Sequence, residues 1–401
     1  MSYVFFIKRV SDFDHLLPLV VKLISNGTPS QEIDIYEIFP DNTLIDIEND
    51  FRYQLLIENN LKIKRSFVSK IYLKFLIFLD KFIRNKNIIR YFFILLDKLT
   101  KKIFIFLFIR RLSLIFFLNS FDKIIIDHSN SLFHESLIKI VKKKKLKIFS
   151  LPHGLVLHNG YANKTLHDLQ FNKIYKNNYS KLIFINQYHL ETSNYLTLNK
   201  NFSILGSMRY SKDWINILKT KVNNNYKKTD NKINILIFEE KVGVNIKNQY
   251  VPWIRFKEIE QIIYYLLSLK GLNISISKHP SIKDIKLFNN QNLYDSKKST
   301  FEMVYQSEII IGCLTSSICD AITLNKKVIF LPYCHYFNDN LSSFISEDYT
   351  ANSFEDFKKK LDNHLNKIRE NKPNLFQEKF YKKFINNNEG DIFQNYIDEL
   401  I

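Results

Sequence analysis

The chain predicts an α/β protein of two Rossmann-like domains, and three observations carry that prediction. Short apolar runs bounded by turn residues alternate with amphipathic segments of helical period. At 401 residues the chain exceeds one typical domain and suits two of about 200. The alternation also starts over at Ile233, after a polar Lys- and Asn-rich linker at 223–231. The first domain is therefore expected over 1–220 and the second over 232–390, with a helical, basic insertion at 61–119 of the first.

Residues 3–7, Tyr-Val-Phe-Phe-Ile, read as a buried strand. They do not read as a signal peptide, since no basic stretch precedes them and no cleavage site follows. A helix at 16–25 closes on Asn26-Gly27, and a strand at 32–39 closes on Pro40. The opening is thus β-α-β, the start of a nucleotide-binding type of half. Asp12 and Asp14 fall in its first strand-to-helix loop. Either suits a catalytic base facing an acceptor, while Ser11 or Asp12 equally suits a plain helix N-cap.

The insertion has its own composition. Residues 61–111 hold 14 Lys or Arg and only 2 Asp, among apolar runs at 72–79, 88–96, 103–109 and 112–118. No uninterrupted run reaches the ~18 residues needed to span a bilayer. Arg110-Arg111 interrupts the best candidate. Two or three helices with apolar and basic sides are expected, a pattern that suits an anionic membrane surface. The plainer alternative is a helical insertion packed on the sheet.

Strand 123–126 leads into Asp127-His128-Ser129-Asn130-Ser131 and a helix at 132–141. The lysines at 142–145 suit that helix's C-terminal end. Strand 147–151 ends at Pro152-His153-Gly154, before a loop at 155–168. A strand at 182–186, a helix at 187–198 and a strand at 202–205 complete the first half, which runs into Gly206-Ser207.

The second half begins with strand 233–238 and the loop Glu239-Glu240-Lys241-Val242-Gly243. A helix at 254–269 precedes strand 272–277, which ends at Lys278-His279-Pro280. After a helix at 301–306 comes a compact βαβ unit. Strand 309–311 is broken by Gly312; Thr315, Ser316 and Ser317 follow; helix 318–324 carries Asp320 in its first turn and stops at Asn325; strand 328–331 closes the unit. Helices at 354–369 and 376–384 and a short tail complete the chain.

Three expected strand ends thus carry His-Gly, His-Pro and Ser-Ser, and open α/β sheets bind ligands outside the carboxyl ends of their strands. A helix N-terminus also favours phosphate, because its amides are unpaired and the macrodipole is positive there. Ser316 or Ser317 would equally serve as an ordinary cap.

Composition narrows the partners. Net charge is +18 with a pI near 9.4, which suits nucleic acid, an anionic membrane or a polyanionic substrate. The abundance of Phe (35), Tyr (22), Ile, Lys and Asn resembles AT-rich coding bias, so Lys-rich surfaces count for little. The positive charge sits inside apolar helices and no nucleic-acid module is visible, so no nucleic-acid partner is expected. Cys313, Cys319 and Cys334 lack metal spacing and read as reduced, buried thiols. The ten histidines lack His-x-x-x-His spacing beside carboxylates, so no metal is expected.

The order His153-Gly154, Gly-Ser-x-Arg-Tyr at 206–210, His279-Pro280 and Ser316-Ser317-x-x-Asp320-Ala321 resembles the GT-B glycosyltransferases of bacterial surface (capsular) polysaccharide synthesis. It is similar to the capsule Kdo-transferase and polysialyltransferase families and to the CDP-glycerol glycerophosphotransferases, over roughly residues 120–335. Asp320 departs from a more usual Glu, and Met208 from a frequent Pro.

The resemblance implies two domains facing across a cleft and a nucleotide-activated sugar as substrate, with no cofactor and no metal. It assigns His279 and Pro280 to the donor phosphate, with Lys278, Gly312, Thr315, Ser316 and Ser317 around it. Thr300 and Glu302 are candidates for the nucleoside. His153 is either the base that deprotonates an acceptor hydroxyl or a donor contact; an imidazole near its ordinary pKa suits the first role. The acceptor would be a growing polysaccharide or a lipid-linked molecule. The enzyme would be cytoplasmic, peripheral at the inner face of the membrane. A CDP-polyol phosphotransferase, a sugar-nucleotide epimerase and a basic nucleic-acid-binding protein are the alternatives. The epimerase would need a set of cleft carboxylates that the sequence does not display.

Overall fold

The computed structural model describes residues 1–8, 10–38, 47–83, 89–127, 132–152, 179–187, 190, 201–223, 231–239, 243–246, 249–252, 254–277, 291–294, 298–313, 317–336, 345–374, 377–385 and 391–400. The chain divides into two compact units. The first comprises Met1–Gly154, Asp168–Arg209 and Gly390–Ile401, the second Leu155–His167 and Tyr210–Glu389. The chain passes from one to the other at Arg209–Tyr210, ahead of the polar stretch read as a linker.

The first unit is built on a seven-stranded parallel sheet in the order β3-β2-β1-β4-β5-β6-β7. Its strands are β1 (Tyr3–Ile7), β2 (Ile33–Glu37), β3 (Ile63–Lys64), β4 (Lys123–Asp127), β5 (Lys147–Leu151), β6 (Lys181–Phe184) and β7 (Phe202–Ile204). Strands β1 and β4 are buried throughout, as expected of near-continuous Val, Ile and Phe runs in a parallel sheet. The helices are α1 (Phe13–Ser25), α2 (Phe51–Glu58), α3 (Phe67–Ile83), α4 (Ile89–Leu118) and α5 (Leu132–Lys143). Alternate residues Val4, Phe6, Ile124 and Ile126 share a core cluster with Phe108, Leu112 and Phe116 of α4 and Phe133 and Leu137 of α5.

The second unit holds a four-stranded parallel sheet, β11-β8-β12-β13. It also holds an antiparallel pair of β9 (Gly243–Ile246) and β10 (Gln249–Pro252), in a stretch to which the sequence pattern assigns no element beyond the loop that ends at Gly243. The sheet strands are β8 (Ile233–Phe238), β11 (Leu272–Ser277), β12 (Ile309–Gly312) and β13 (Lys327–Phe330). Around them lie α6 (Lys212–Asn223), α7 (Phe256–Ser268), α8 (Thr300–Gln306), α9 (Ile318–Thr323) and α10 (Phe354–Arg369), then a helical turn at Glu378–Phe380 that continues as a π turn at Tyr381–Ile385. Ile235 and Ile237 share a core with Ile259, Ile263 and Leu266 of α7 and Phe357 and Leu361 of α10. The thiols of Cys313, Cys319 and Cys334 are free and buried. Asn325 closes α9 with φ +52°, a left-handed value that Asn tolerates better than most residues.

Two local readings change. Gly312 does not break its strand: it is the last residue of β12, paired with Phe330. The short tail is an amphipathic helix, α11 (Ile392–Leu400), that buries Phe393, Tyr396, Ile397 and Leu400. It belongs to the first unit, where Tyr396 Oη donates to the Gly206 carbonyl at 3.0 Å and Glu399 pairs with Lys181 at 2.6 Å.

Candidate active site

In the first sheet, strands proceed outward from β1 to β3 on one side and from β4 to β7 on the other. The order therefore reverses between β1 and β4, the place where an open sheet forms its ligand crevice. Charged residues converge on the carboxyl ends of these two strands. Lys8 follows β1, Asp127 ends β4, and Lys8 Nζ meets Asp127 Oδ2 at 2.8 Å. The second oxygen of Asp127 lies 3.3 Å from His134 Nε2 on α5. His134 is fully buried, and burial lowers its pKa although Asp127 pulls the other way. Asp12 is 1% exposed, and its Oδ2 accepts from the Lys8 amide at 2.7 Å. Its carboxylate turns back to the strand end and makes no cap bond to α1.

Asp14 lies between two guanidiniums. Arg52 Nη1 donates to its Oδ1, and Arg209 Nη1 donates to its Oδ2 at 2.8 Å. Arg52 is itself oriented by Asp50, through Nε at 2.8 Å and Nη2 at 2.6 Å, a two-point fork. Burial pushes the Asp14 carboxyl up, but Arg209 and then Arg52 outweigh it and hold the group below the usual carboxylate range. A base working near neutral pH needs the opposite shift. Asp14 is therefore fitted to orient Arg209, the arginine of the Gly-Ser-x-Arg-Tyr motif, and not to take a proton. Asp12, the other aspartate read as a base candidate, is held at the strand end by the Lys8 amide. The sequence reading had given no role to Lys8, Arg52, Asp127, His134 or Arg209. Only Arg209 carried a signal, through its motif.

In the second sheet β8 is central, with β11 on one side and β12 on the other. The Glu239 amide, just past β8, donates to the Ser277 carbonyl at 2.9 Å, and Tyr294 Oη reaches Glu239 Oε1 at 3.4 Å. The Gly312 carbonyl accepts from the Leu331 amide at 2.9 Å. Helix α9 has only six residues, and the Ser317 side chain makes no cap bond to it. Phosphate affinity from a long helix dipole is thus not available here, and hydroxyls and cations of the loops would have to supply it.

Thr300 and Glu302 open α8, where their neighbour Ser299 forms a capping box. Glu302 Oε2 accepts from the Ser299 amide at 2.7 Å, and Ser299 Oγ accepts from the Glu302 amide at 3.2 Å. Glu302, read as a nucleoside contact, is committed to starting its helix, and Thr300 is that helix's first residue. His153, Lys278, His279, Pro280, Thr315 and Ser316 lie outside the described residues. Their anchors are described: β5 ends at Leu151, β11 at Ser277 and β12 at Gly312.

No family model and no curated protein matches the sequence. Solved structures do match in shape. The UDP-GlcNAc 2-epimerase of Methanocaldococcus jannaschii is similar at TM-score 0.54 and 11% identity, over 100% of this chain and 99% of that one. The wall teichoic acid polymerase TagF is similar at TM-score 0.52 and 12% identity, over 100% and 88%. Anabaena HepE, solved with UDP-glucose, is similar at TM-score 0.51 and 8% identity, over 100% and 99%. These likenesses show the fold, a two-domain α/β architecture of GT-B type.

Proposed function

We propose that the chain is a GT-B glycosyltransferase that moves a sugar from a nucleotide-activated donor to a growing surface polysaccharide or a lipid-linked acceptor, without a metal ion. One observation carries this reading. Three of the four motifs of the resemblance follow, within four residues, the carboxyl ends of parallel strands β5, β11 and β12, where such sheets bind ligands. The likeness to a structure solved with UDP-glucose is in keeping with a nucleotide-sugar substrate. The capsular subfamily rests on the motif order alone.

In this reading the second unit takes the donor. Lys278 and His279 neutralise its phosphates, Pro280 fixes their turn, and Thr315, Ser316 and Ser317 donate hydroxyls to them. Charge on the departing nucleotide is then met by groups already in place. The first unit takes the acceptor, and His153 removes the hydroxyl proton as the bond to the sugar forms. Arg209, held by Asp14, is a positioned cation at that unit's strand ends. The enzyme works on the cytoplasmic side, peripheral to the membrane that carries its acceptor.

A panel of CMP-, UDP-, GDP- and CDP-linked donors tests the reading, because only a ligand of the native state raises the thermal midpoint. Mass spectrometry of the products then separates sugar transfer, which releases a nucleotide, from polyol-phosphate transfer and from epimerisation, which returns a nucleotide sugar. No stabilisation by any donor would overturn the reading. His153→Ala should abolish transfer and keep nucleotide binding, since a general base acts in the transition state. His279→Ala, or Ser316→Ala with Ser317→Ala, should weaken donor binding itself. If His153→Ala loses donor affinity and keeps turnover at saturating donor, His153 becomes a phosphate ligand and Asp12 the base.

A further inference from the structure

Helix α4 carries two apolar stripes. Phe104, Phe108, Leu112 and Phe116 recur every fourth residue and are buried against the first sheet. Each contributes about 2 kcal/mol by leaving water. Ile103, Phe106, Leu114 and Phe117 form the other stripe and are 51, 57, 57 and 73% exposed. At about 100° per residue this stripe lies on the opposite side of the helix. Helix α3 packs beside α4, with Tyr72 and Phe104 ring centroids 4.9 Å apart. It adds Phe67, Ile71 and Phe78 to the exposed set. Soluble surfaces tolerate scattered apolar residues, but a contiguous exposed patch marks an interaction site.

The charges around this patch identify what it fits. Exposed Lys70 and Lys74 sit among the apolar residues of α3, and Lys102 and Arg110 among those of α4. The Arg110 guanidinium lies 5.1 Å from the Phe106 ring centroid. Lys144, in the exposed lysine run that ends α5, lies 5.3 Å from the Phe117 ring centroid. Arg111, next to Arg110 in sequence, points inward to Tyr36 and Glu37, and burial lowers its pKa. Rings that plunge beside cations that can reach outward suit a headgroup layer. A second copy of the chain fits poorly, because a two-fold contact would bring Arg110 and the lysines against their own like charges. Among the described residues no helix is long and apolar enough to cross a membrane.

We propose that the outer face of α3 and α4 is a docking surface for an anionic lipid bilayer, lying in its interface without spanning it. The proposal stands whether or not the transfer reading holds, and its test uses no donor. The full chain is sedimented with phosphatidylcholine vesicles and with mixed phosphatidylcholine–phosphatidylglycerol vesicles. Binding is expected to the mixed vesicles and to fall with added salt. Leu114→Ser with Phe117→Ser, and separately Arg110→Glu with Lys102→Glu, should each weaken it about tenfold or more. All four substitutions are on exposed positions, so the melting curve should not move. Absence of binding to mixed vesicles overturns the proposal, as does binding that both variants leave unchanged. So does a wild-type dimer, seen by light scattering, that these variants convert to monomer, which would make a second copy the occupant.

Discussion

The two sheets end their central strands in contrasting chemistry. In the first unit the reversal point between β1 and β4 is dense with opposed charge: Lys8 on Asp127, Asp127 on His134, Asp14 between Arg52 and Arg209. In the second, the described ends of β8 and β12 present one carboxylate, Glu239, beside Gly312 and buried Cys313. A site whose charges are already paired can orient a hydroxyl without attracting ions. A site for an anion must receive its cations from elsewhere, and Lys278 and His279 follow β11 in the sequence. Two of the buried histidines also differ. His134 lies 3.3 Å from the Asp127 carboxylate, whereas His364 is buried against the Tyr349 ring, 5.3 Å between centroids, with Lys367 and Asp348 acting on it in opposite directions.

The largest effect is expected where pairing is broken on one side only. Asp14→Ala removes the carboxylate that Arg52 and Arg209 share and should lower stability by about 3 kcal/mol in urea unfolding. A loss under about 1 kcal/mol would mean that water already serves these charges, and the contrast between the units would shrink. Next comes pH. Burial lowers the His364 pKa from 6.5 to about 4, so the unfolded chain takes up a proton well before the native one. Stability attached to this group is complete above pH 6.5 and drains as pH falls from there to about 4, by up to about 1.4 kcal/mol per pH unit. His364→Phe should flatten that part of the stability–pH curve; an unchanged slope would assign the acid sensitivity to another residue.

Glu302→Ala removes half of the capping box and should cost about 1 kcal/mol, leaving nucleotide affinity as it was. A drop in nucleotide affinity without loss of stability would return Glu302 to the binding site. The smallest change is expected from Lys8→Met. Lys8 helps to hold the His134 pKa down, so its removal should raise that pKa, read from the imidazole shifts by NMR. A downward shift would mean that Asp127 turns away when its lysine is lost.

The strands were legible because burial on both faces demands unbroken apolar runs. Lys147–Leu151 and Ile233–Phe238 are mostly apolar, with only Lys147, Ser150 and Asn234 polar, and they begin and end where the sequence places them. The β9–β10 pair was not legible: Gly-Val-Asn-Ile and Gln-Tyr-Val-Pro are short and half polar. Helix α6 opens with Lys212 and Asp213 and has a low apolar content, so it merges with the polar stretch after it. In the site, motif positions could be read because strand ends are local features. The partners of Asp14 could not, since Arg52 and Arg209 lie 38 and 195 residues away along the chain. Arg110 and Arg111 show the same limit: adjacent in sequence, one faces outward and the other inward.

Helix α11 bears on the order in which the molecule can be assembled during synthesis. Ser203 of the edge strand β7 donates to Glu399 at 2.6 Å, and Lys22 of α1 lies 5.5 Å from the Phe393 ring centroid. The first unit therefore draws on residues made after the whole of the second. A nascent chain holds β1 to β7 for the time it takes to add some 180 residues more, with one sheet edge and one face of α1 lacking this cover. The second unit has no such wait and can close first, reversing the usual N-to-C order of domain folding. Contacts that span so much sequence also slow closure, so the first unit is the one that a holding chaperone would meet.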